Sequence, residues 1–211
     1  MKFKSREPSQ LLYSLKIGDG CFVTQCKDKS NKRPHYYLKS MSINLDYLSH
    51  KKSEIEKLGI ITQPLHTGKS GYKESSVIYN FATRNHYLIS KVGNMSVTEV
   101  LNKLNKEGLV YYFLDDGTFH QKKHFGHLYC NTFTDDEVQT LIEVMYKFYP
   151  QKKCAKRIDK KKDGRQYPYI YIPVVVMDEF RKDVKDFLEK YEIKSLMYKV
   201  GETESETKKN Q

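Results

Sequence analysis

Two short apolar runs, half a chain apart, end in the same way. The first is Leu12-Tyr13-Ser14-Leu15-Lys16-Ile17-Gly18-Asp19-Gly20 and the second Leu109-Val110-Tyr111-Tyr112-Phe113-Leu114-Asp115-Asp116-Gly117. By pattern alone, residues 10–18 are compatible with a buried helix or a strand. Read as helices, both finish in Asp-Gly. Glycine is expected after a helix end, where φ > 0 is needed. Aspartate is not: a carboxylate there meets the negative end of the helix dipole, at a cost of about 0.3–1 kcal/mol. One Asp-Gly is an ordinary turn. Two, in matched positions, imply that a cation sits there.

The rest of the composition sets the partner. Among 211 residues, 37 Lys and Arg stand against 26 Asp and Glu, a net charge of +11. With a pI near 9.3, this excludes an acidic solvating protein and favours an anionic partner. No apolar run approaches the length of a membrane span. Met1–Pro8 has basic residues but no apolar core of a secretory signal, so the expectation is an intracellular protein, in the cytoplasm, nucleoid or organelle matrix and not secreted. Cys21, Cys26, Cys130 and Cys154 form no C-x-x-C pair, so a zinc ribbon is disfavoured and reduced thiols are expected. The 17 Tyr and the many Lys, Asn and Ile fit an A·T-rich coding genome, which needs no functional explanation.

Along the chain the pattern repeats. Residues 21–44 read as a hairpin around the basic loop KDKSNKRP, and residues 45–59 as a helix stopped at Gly59. Residues 60–83 read as a second hairpin with its turn near Lys69–Gly71. Residues 97–104 read as a helix capped by Ser96 or Asn94. In the second half His127–Phe133 reads as a strand. Residues 135–149 read as a helix with a capping box from Thr134 to Glu137. Residues 151–173 read as a hairpin turning at Asp163-Gly164, and residues 177–191 as a helix. Each half is therefore helix, hairpin, helix, hairpin, helix, and residues 201–211 read as a disordered polar tail.

The two nine-residue runs resemble the paired motifs of LAGLIDADG homing endonucleases. Gly18-Asp19-Gly20 and Asp115-Asp116-Gly117 match the A-D-G end best. The stretch Leu109–Gly117, with Thr134-Asp135-Asp136-Glu137 and Met197-Tyr198-Lys199, is similar to the single-chain mitochondrial omega-intron type. The first motif departs from the pattern, with Lys16 in place of an aliphatic residue and Tyr13 in place of a small one. The resemblance covers about residues 10–200. It implies an α+β fold: a pseudo-twofold pair of αββαββα half-domains, residues 9–95 and 96–200, whose antiparallel sheets form a DNA-binding saddle. It implies that Asp19 and Asp116 meet beneath the DNA and bind divalent metal with the carbonyls of Gly18 and Asp115, the Asp115 side chain having a secondary role. Lys199, with Lys91 as its counterpart in the other half, is the candidate to polarise the water network.

The physical case agrees with the resemblance. Phosphodiester hydrolysis needs a neutralised phosphate, an activated water and a stabilised leaving oxygen, which Mg²⁺ (or Mn²⁺ in its place) supplies when carboxylates hold it in an open site. Double-stranded DNA would be held by cations on the hairpins. The candidates are Lys27, Lys29, Lys32, Arg33 and Lys39; Lys69, Lys73 and Arg84; Lys122 and Lys123; and Lys156, Arg157, Lys160, Lys162 and Arg165 within a basic stretch that also holds Lys152, Lys153 and Lys161. Tyr167, Tyr169 and Tyr171 alternate with Pro168, Ile170 and Ile172, so one strand face is tyrosine, facing DNA or packing under a helix. His120, His124 and His127 with Cys130 match no closed zinc motif, and are expected to face the DNA backbone or solvent. No phosphate-binding glycine loop, nucleophile elbow or H-E-x-x-H is present.

These observations lead to a monomeric, Mg²⁺-dependent, site-specific double-strand DNA endonuclease. By the resemblance, it would leave short 3′ overhangs in a long pseudo-symmetric site and promote insertion of its own genetic element. The rival readings are a non-catalytic protein on the same scaffold (an intron maturase contacting intron RNA, or a DNA-binding regulator) and an unrelated basic RNA-binding domain whose motif runs would be strands.

Overall fold

Both motif runs are helices, and they pack on each other at the centre of the molecule. The computed structural model describes residues 7–24, 34–69, 77–160 and 164–202. Helix α1 (Gln10–Ile17) buries Leu11, Leu12, Tyr13, Ser14, Leu15 and Ile17, and α5 (Lys106–Asp116) buries every residue from Gly108 to Leu114. Helices this apolar around their circumference are stable only when enclosed. Their starts are tied together: the Gln10 side chain accepts from the Asn105 N–H (2.9 Å) and donates to the Lys103 carbonyl (3.1 Å). Gly108 permits the approach, since a Cβ there would lie 2.5 Å from Gln10 Oε1.

Each motif helix leads into the same arrangement. In the first half come β1 (Cys21–Thr24), β2 (Tyr36–Ser42), α2 (Leu45–Lys57), β3 (His66–Lys69), β4 (Val77–Ala82) and α3 (Tyr87–Gly93). The short α4 (Val97–Leu101) crosses to α5, and β5 (Gly117–His120), β6 (Phe125–Tyr129), α6 (Asp135–Phe148), β7 (Ala155–Lys160), β8 (Gln166–Ile172) and α7 (Val174–Lys190) follow, with a 3₁₀ turn at Met197–Val200. The sheets have matching antiparallel orders, β1-β2-β4-β3 and β5-β6-β8-β7. This is the αββαββα pair expected, with α4 as the connection. One face of each sheet supplies the core, through Leu38, Phe81, Leu128, Ile170 and Ile172. The halves are also joined by Asp46 on α2, whose carboxylate accepts from the Ser195 N–H (2.9 Å) and hydroxyl. Among the described residues no helix is long and apolar enough to cross a membrane.

Several local expectations need correction. The last helix of the first half is α3, which the pattern did not reveal, and residues 97–104 shorten to the linker α4. Ser96 caps α4, accepting from the Glu99 N–H (3.2 Å), while Asn94 instead ends α3. The strand placed at 127–133 runs over 125–129 and is preceded by β5; Cys130 to Phe133 form a turn. Helix α7 starts three residues earlier than expected, directly after Pro173. The hairpin between β7 and β8 does place Gly164 at φ +83°, while Asp163 and residues 203–211 lie outside the described residues.

The motif glycines are present for a different reason from the one expected. Gly18 has φ −112° and Gly117 φ −98°, and neither is left-handed. What excludes a side chain is space. A Cβ on Gly117 would sit 2.1 Å from Phe113 Cδ2 and 2.5 Å from its carbonyl oxygen, and one on Gly20 would sit 2.2 Å from the Leu15 carbonyl oxygen. Gly117→Ala is therefore expected to destabilise the fold by about 1–3 kcal/mol through overpacking against backbone. Gly126→Ala, whose Cβ would meet the end of the unbranched Met177 side chain at 2.5 Å and Ile172 at 3.4 Å, is expected to cost less. Urea unfolding of the two variants side by side checks the order.

Candidate active site and nucleic-acid face

The motif helices converge at their C-terminal ends, and this brings the acids together. Gly18 N–H closes α1 on the Ser14 carbonyl (2.9 Å), and Asp19 follows at once. Asp116 is the last residue of α5, and its Oδ2 lies 3.1 Å from where a Cβ of Gly18 would be. A larger residue at position 18 would push the acids apart. Burial raises the Asp116 carboxyl to about 7, reinforced by the charges of Asp19 and Asp115. Asp19 retains solvent access, yet its carboxyl is also raised, first by loss of hydration and then by Asp115. The acids are placed where their own charges repel.

Two buried lysines answer that charge. Lys199, on the 3₁₀ turn, donates to the carbonyls of Leu114 (2.7 Å), Gly117 (3.0 Å), Phe113 (3.3 Å) and Asp115 (3.4 Å). It therefore caps the negative end of α5, and burial lowers its pKa. Its N–H groups are engaged by these backbone carbonyls, and its side chain also borders the space beside Asp116. The second is Lys51 on α2, whose side chain is 1% exposed and which donates to Asp115 Oδ1 at 2.5 Å. Tyr47 donates to the same oxygen at 3.0 Å, and its ring lies 4.2 Å from the Lys51 ammonium. Asp115 Oδ2 is buried without a hydrogen-bond partner.

Lys51 was missed in the sequence. Its signal is its position: with Tyr47, Leu48 and Ile55 it occupies the buried stripe of α2, where an unpaired lysine would be costly. Lys91, expected as the counterpart of Lys199, is placed differently. It forms a surface ion pair with Glu7 (2.9 Å), which corrects the expectation that it serves the acids.

The residues fit a divalent cation. Two raised carboxylates and one orphaned buried oxygen gather at one point, and Mg²⁺ usually keeps several waters and takes only one or two protein carboxylates. Among the described residues no three His, Cys, Asp or Glu side chains enclose such an ion, so backbone carbonyls, water and substrate would complete its shell. A cleft of about 320 Å³ opens beside Asp116, lined also by Thr118, Tyr129, Asn131, Tyr198 and Lys199.

Strand register sorts the predicted DNA contacts, because directly paired residues share a face. Lys39 is exposed on the outer face of the first sheet, 5.6 Å from the Tyr37 ring. Arg84 is exposed just past β4, and Lys122 and Lys123 are exposed in the β5–β6 turn. Arg157 pairs with Tyr169 on the outer face and stacks 4.1 Å from the Tyr171 ring. Arg165 lies 5.9 Å from the Tyr167 ring. Other expected contacts fall on the opposite side. Lys156 pairs in register with the buried Ile170 and forms an ion pair with Asp135 (2.5 Å); Lys160 pairs with Gln166 and Lys69 with Val77 on the same kind of row. Lys153 is bonded to Glu143. Lys27, Lys29, Lys32, Arg33, Lys73, Lys161 and Lys162 lie outside the described residues.

The tyrosine row of β8 faces outward with Phe125, His127 and Tyr129, while Ile170 and Ile172 are buried, which resolves the alternative left open above. His120 and His127 share a hydrogen bond of 3.0 Å; His124 sits in the exposed turn at φ 55°. Cys130 is buried and donates to the Leu128 carbonyl, apart from these rings.

Comparison with known proteins agrees with this geometry. The profile of the LAGLIDADG DNA endonuclease family matches residues 10–180. A solved structure of the homing endonuclease I-WcaI bound to its DNA recognition sequence is similar at 22% identity and TM-score 0.64, covering 94% of this chain and 89% of that one. I-DmoI in complex with DNA and Mn is similar at 14% identity and TM-score 0.55, over 83% of this chain and 94% of that one. No curated protein matches.

Two outcomes follow from the buried charges. Lys51→Met leaves the buried Asp115 without its counter-charge and should cost about 3–5 kcal/mol, most of it recovered in Lys51→Met/Asp115→Leu. Urea unfolding of the single and double variants measures both. Asp116 holds its proton more tightly folded than unfolded, between its ordinary 3.8 and about 7. Stability of the metal-free protein should therefore fall as pH rises through that window. Asp116→Asn should flatten the slope, leaving the contribution of the raised Asp19 carboxyl, and be more stable at neutral pH by about 1–3 kcal/mol, as read from denaturation midpoints in chelator.

Proposed function

The chain belongs to the LAGLIDADG DNA endonuclease family, and from that premise we propose that it is a monomeric, site-specific endonuclease that cuts both strands of double-stranded DNA. The observation that carries this reading is the meeting of Asp19 and Asp116 at the ends of α1 and α5, with the Asp116 carboxyl raised to about 7. A protein that only binds DNA gains nothing from acids facing phosphate. Pure structure gains less still, since each carboxylate opposes a helix dipole.

Asp19 and Asp116, with the carbonyls of Gly18 and Asp115, would hold the divalent cation, Mg²⁺ or Mn²⁺. Bound there, such a cation neutralises phosphate charge and lowers the pKa of a coordinated water. I-DmoI has been crystallised with DNA and Mn and with DNA and Ca, which supports divalent metal use here. The chain's own residues do the remaining work. Lys199 fixes the four carbonyls that end α5, so Asp116 leaves the helix in one direction. Lys51 and Tyr47 hold the Asp115 carboxylate toward α2. One acid per half suits one scissile phosphate per strand, and the family resemblance implies a staggered cut with short 3′ overhangs. Lys39, Arg84, Lys122, Lys123 and Arg157 would hold the phosphates of a long pseudo-symmetric site on the outer sheet faces.

The test is cleavage of a randomised duplex library with Mg²⁺ by wild type, Asp19→Asn and Asp116→Asn. Wild type should enrich one long site cut on both strands. Each variant should bind that site with at most a few-fold change in affinity and abolish cutting, and chelator should do the same to wild type. Wild type that binds one site and never cuts would overturn the endonuclease and leave a binding protein, a maturase or regulator, on this scaffold.

A further inference from the structure

The outer face of the second sheet is a layer of packed rings with no helix over it among the described residues. The His127 ring lies 4.3 Å from Tyr169 and 4.3 Å from His120, Phe125 lies 5.2 Å from Tyr171, and Tyr129 lies 6.2 Å from Tyr169. Their planes are tilted by 45° to 63°, so the rings lean on one another. Strand side chains stand away from the sheet, and the surface they offer is ring edges and tips. The first sheet differs: its outer row of Val23, Tyr37, Lys39, Met41 and Asn80 has no ring-to-ring contact among the described residues.

The chemistry of the layer is apolar at its centre and cationic at its border. His120 Nε2 and His127 Nδ1 share one proton in their 3.0 Å hydrogen bond. Burial, His120 and Arg157 push His127 down to about 4. These imidazoles are neutral at ordinary pH and bring no positive charge to phosphate. Charge comes from Arg157 against Tyr171 and from Lys122 and Lys123 at the hairpin tip, with Asp159 the acid on the same outer row. Cations at the rim suit the phosphates that border a groove, and rings at the centre suit an apolar feature at its floor. The major groove has one such feature, the thymine 5-methyl, and admits a two-stranded ribbon. Stacking of unpaired bases would need free ring faces, and here each ring leans on a tilted neighbour.

Resting on the DNA-binding reading above, we propose that this ring layer reads thymine methyl groups in the major groove of one half of the target, with Phe125 and Tyr169 as specificity-determining residues. The Asp19→Asn/Asp116→Asn variant is used to select an uncut site from a randomised duplex library. The selected duplex is then remade with deoxyuridine in place of thymidine, one position at a time. In one half-site, loss of a methyl should weaken binding about fourfold, the worth of one buried carbon. Phe125→Ala or Tyr169→Ala should bind the thymine and uracil duplexes alike at those positions. Arg157→Ala should weaken both duplexes equally. Equal binding of uracil and thymine throughout, a selected site without thymine in either half, or a preference for the single strand would overturn the proposal and leave duplex or nucleic-acid binding itself intact. A library with no enriched sequence would overturn the DNA-binding reading and this one with it.

Discussion

Two helices that cross with their C-terminal ends together impose the central problem of this structure. The ends carry the negative poles of both dipoles, and the chain adds Asp19, Asp115 and Asp116 at the same point. Like charges brought together in a place with little water cannot all ionise freely, and the raised Asp116 carboxyl is the result. The remainder of the core is arranged so that this end does not spread. Gly18, Gly20 and Gly117 remove side-chain bulk where the backbone doubles back on its helix or the helices meet. Gln10 and Asn105 tie the opposite ends of α1 and α5 together.

The two halves solve the problem unequally. Gly18 and Asp115 occupy the matching position before each motif acid, so only the second half adds a third carboxylate. The first half supplies its counter-charge, since Lys51 and Tyr47 reach across from α2 to Asp115. The second half caps its own motif helix with Lys199. In the first, the lysine on the motif helix itself, Lys16, donates to the Gly93 carbonyl at 3.0 Å and lies 5.4 Å from the Phe22 ring. The pair is thus symmetric in backbone and asymmetric in charge, and that difference gives the two acids different surroundings. A cleft of measurable size lies beside Asp116, where Lys199, Asn131 and Tyr198 converge.

The motif acids and the longer elements were legible in the sequence because each breaks or obeys a strong local rule. An aspartate closing an apolar helix violates the dipole preference, and doing so twice singled out Asp19 and Asp116. Thr134 with Glu137 and the stripe Val138, Leu141, Ile142, Met145 obey helix rules, and α6 begins where they place it. Short elements carry too few residues for such rules. Helix α3 has seven residues and a histidine cap, and β5 has four. Lys51 looks like any surface lysine until the helix is built and its stripe is seen to be buried. Lys91 was matched by pattern, and only the fold shows Glu7 beside it.

Register explains why basic content alone overcounts the contacts of a sheet. In β7, Lys156 and Arg157 are neighbours in a run of positive charge, yet their side chains leave opposite faces. Arg157 reaches the open face with the rings, while Lys156 turns to the start of α6 and finds Asp135. A lysine on that inner row still adds to the long-range field that draws the chain toward a polyanion. It does not touch the surface that would lie in a groove. The same alternation that hides Ile170 and Ile172 in the core exposes Tyr169 and Tyr171. A single property of the strand therefore sets both what holds the second half together and what it offers to DNA, and neither can be changed by a one-residue shift in register without losing the other.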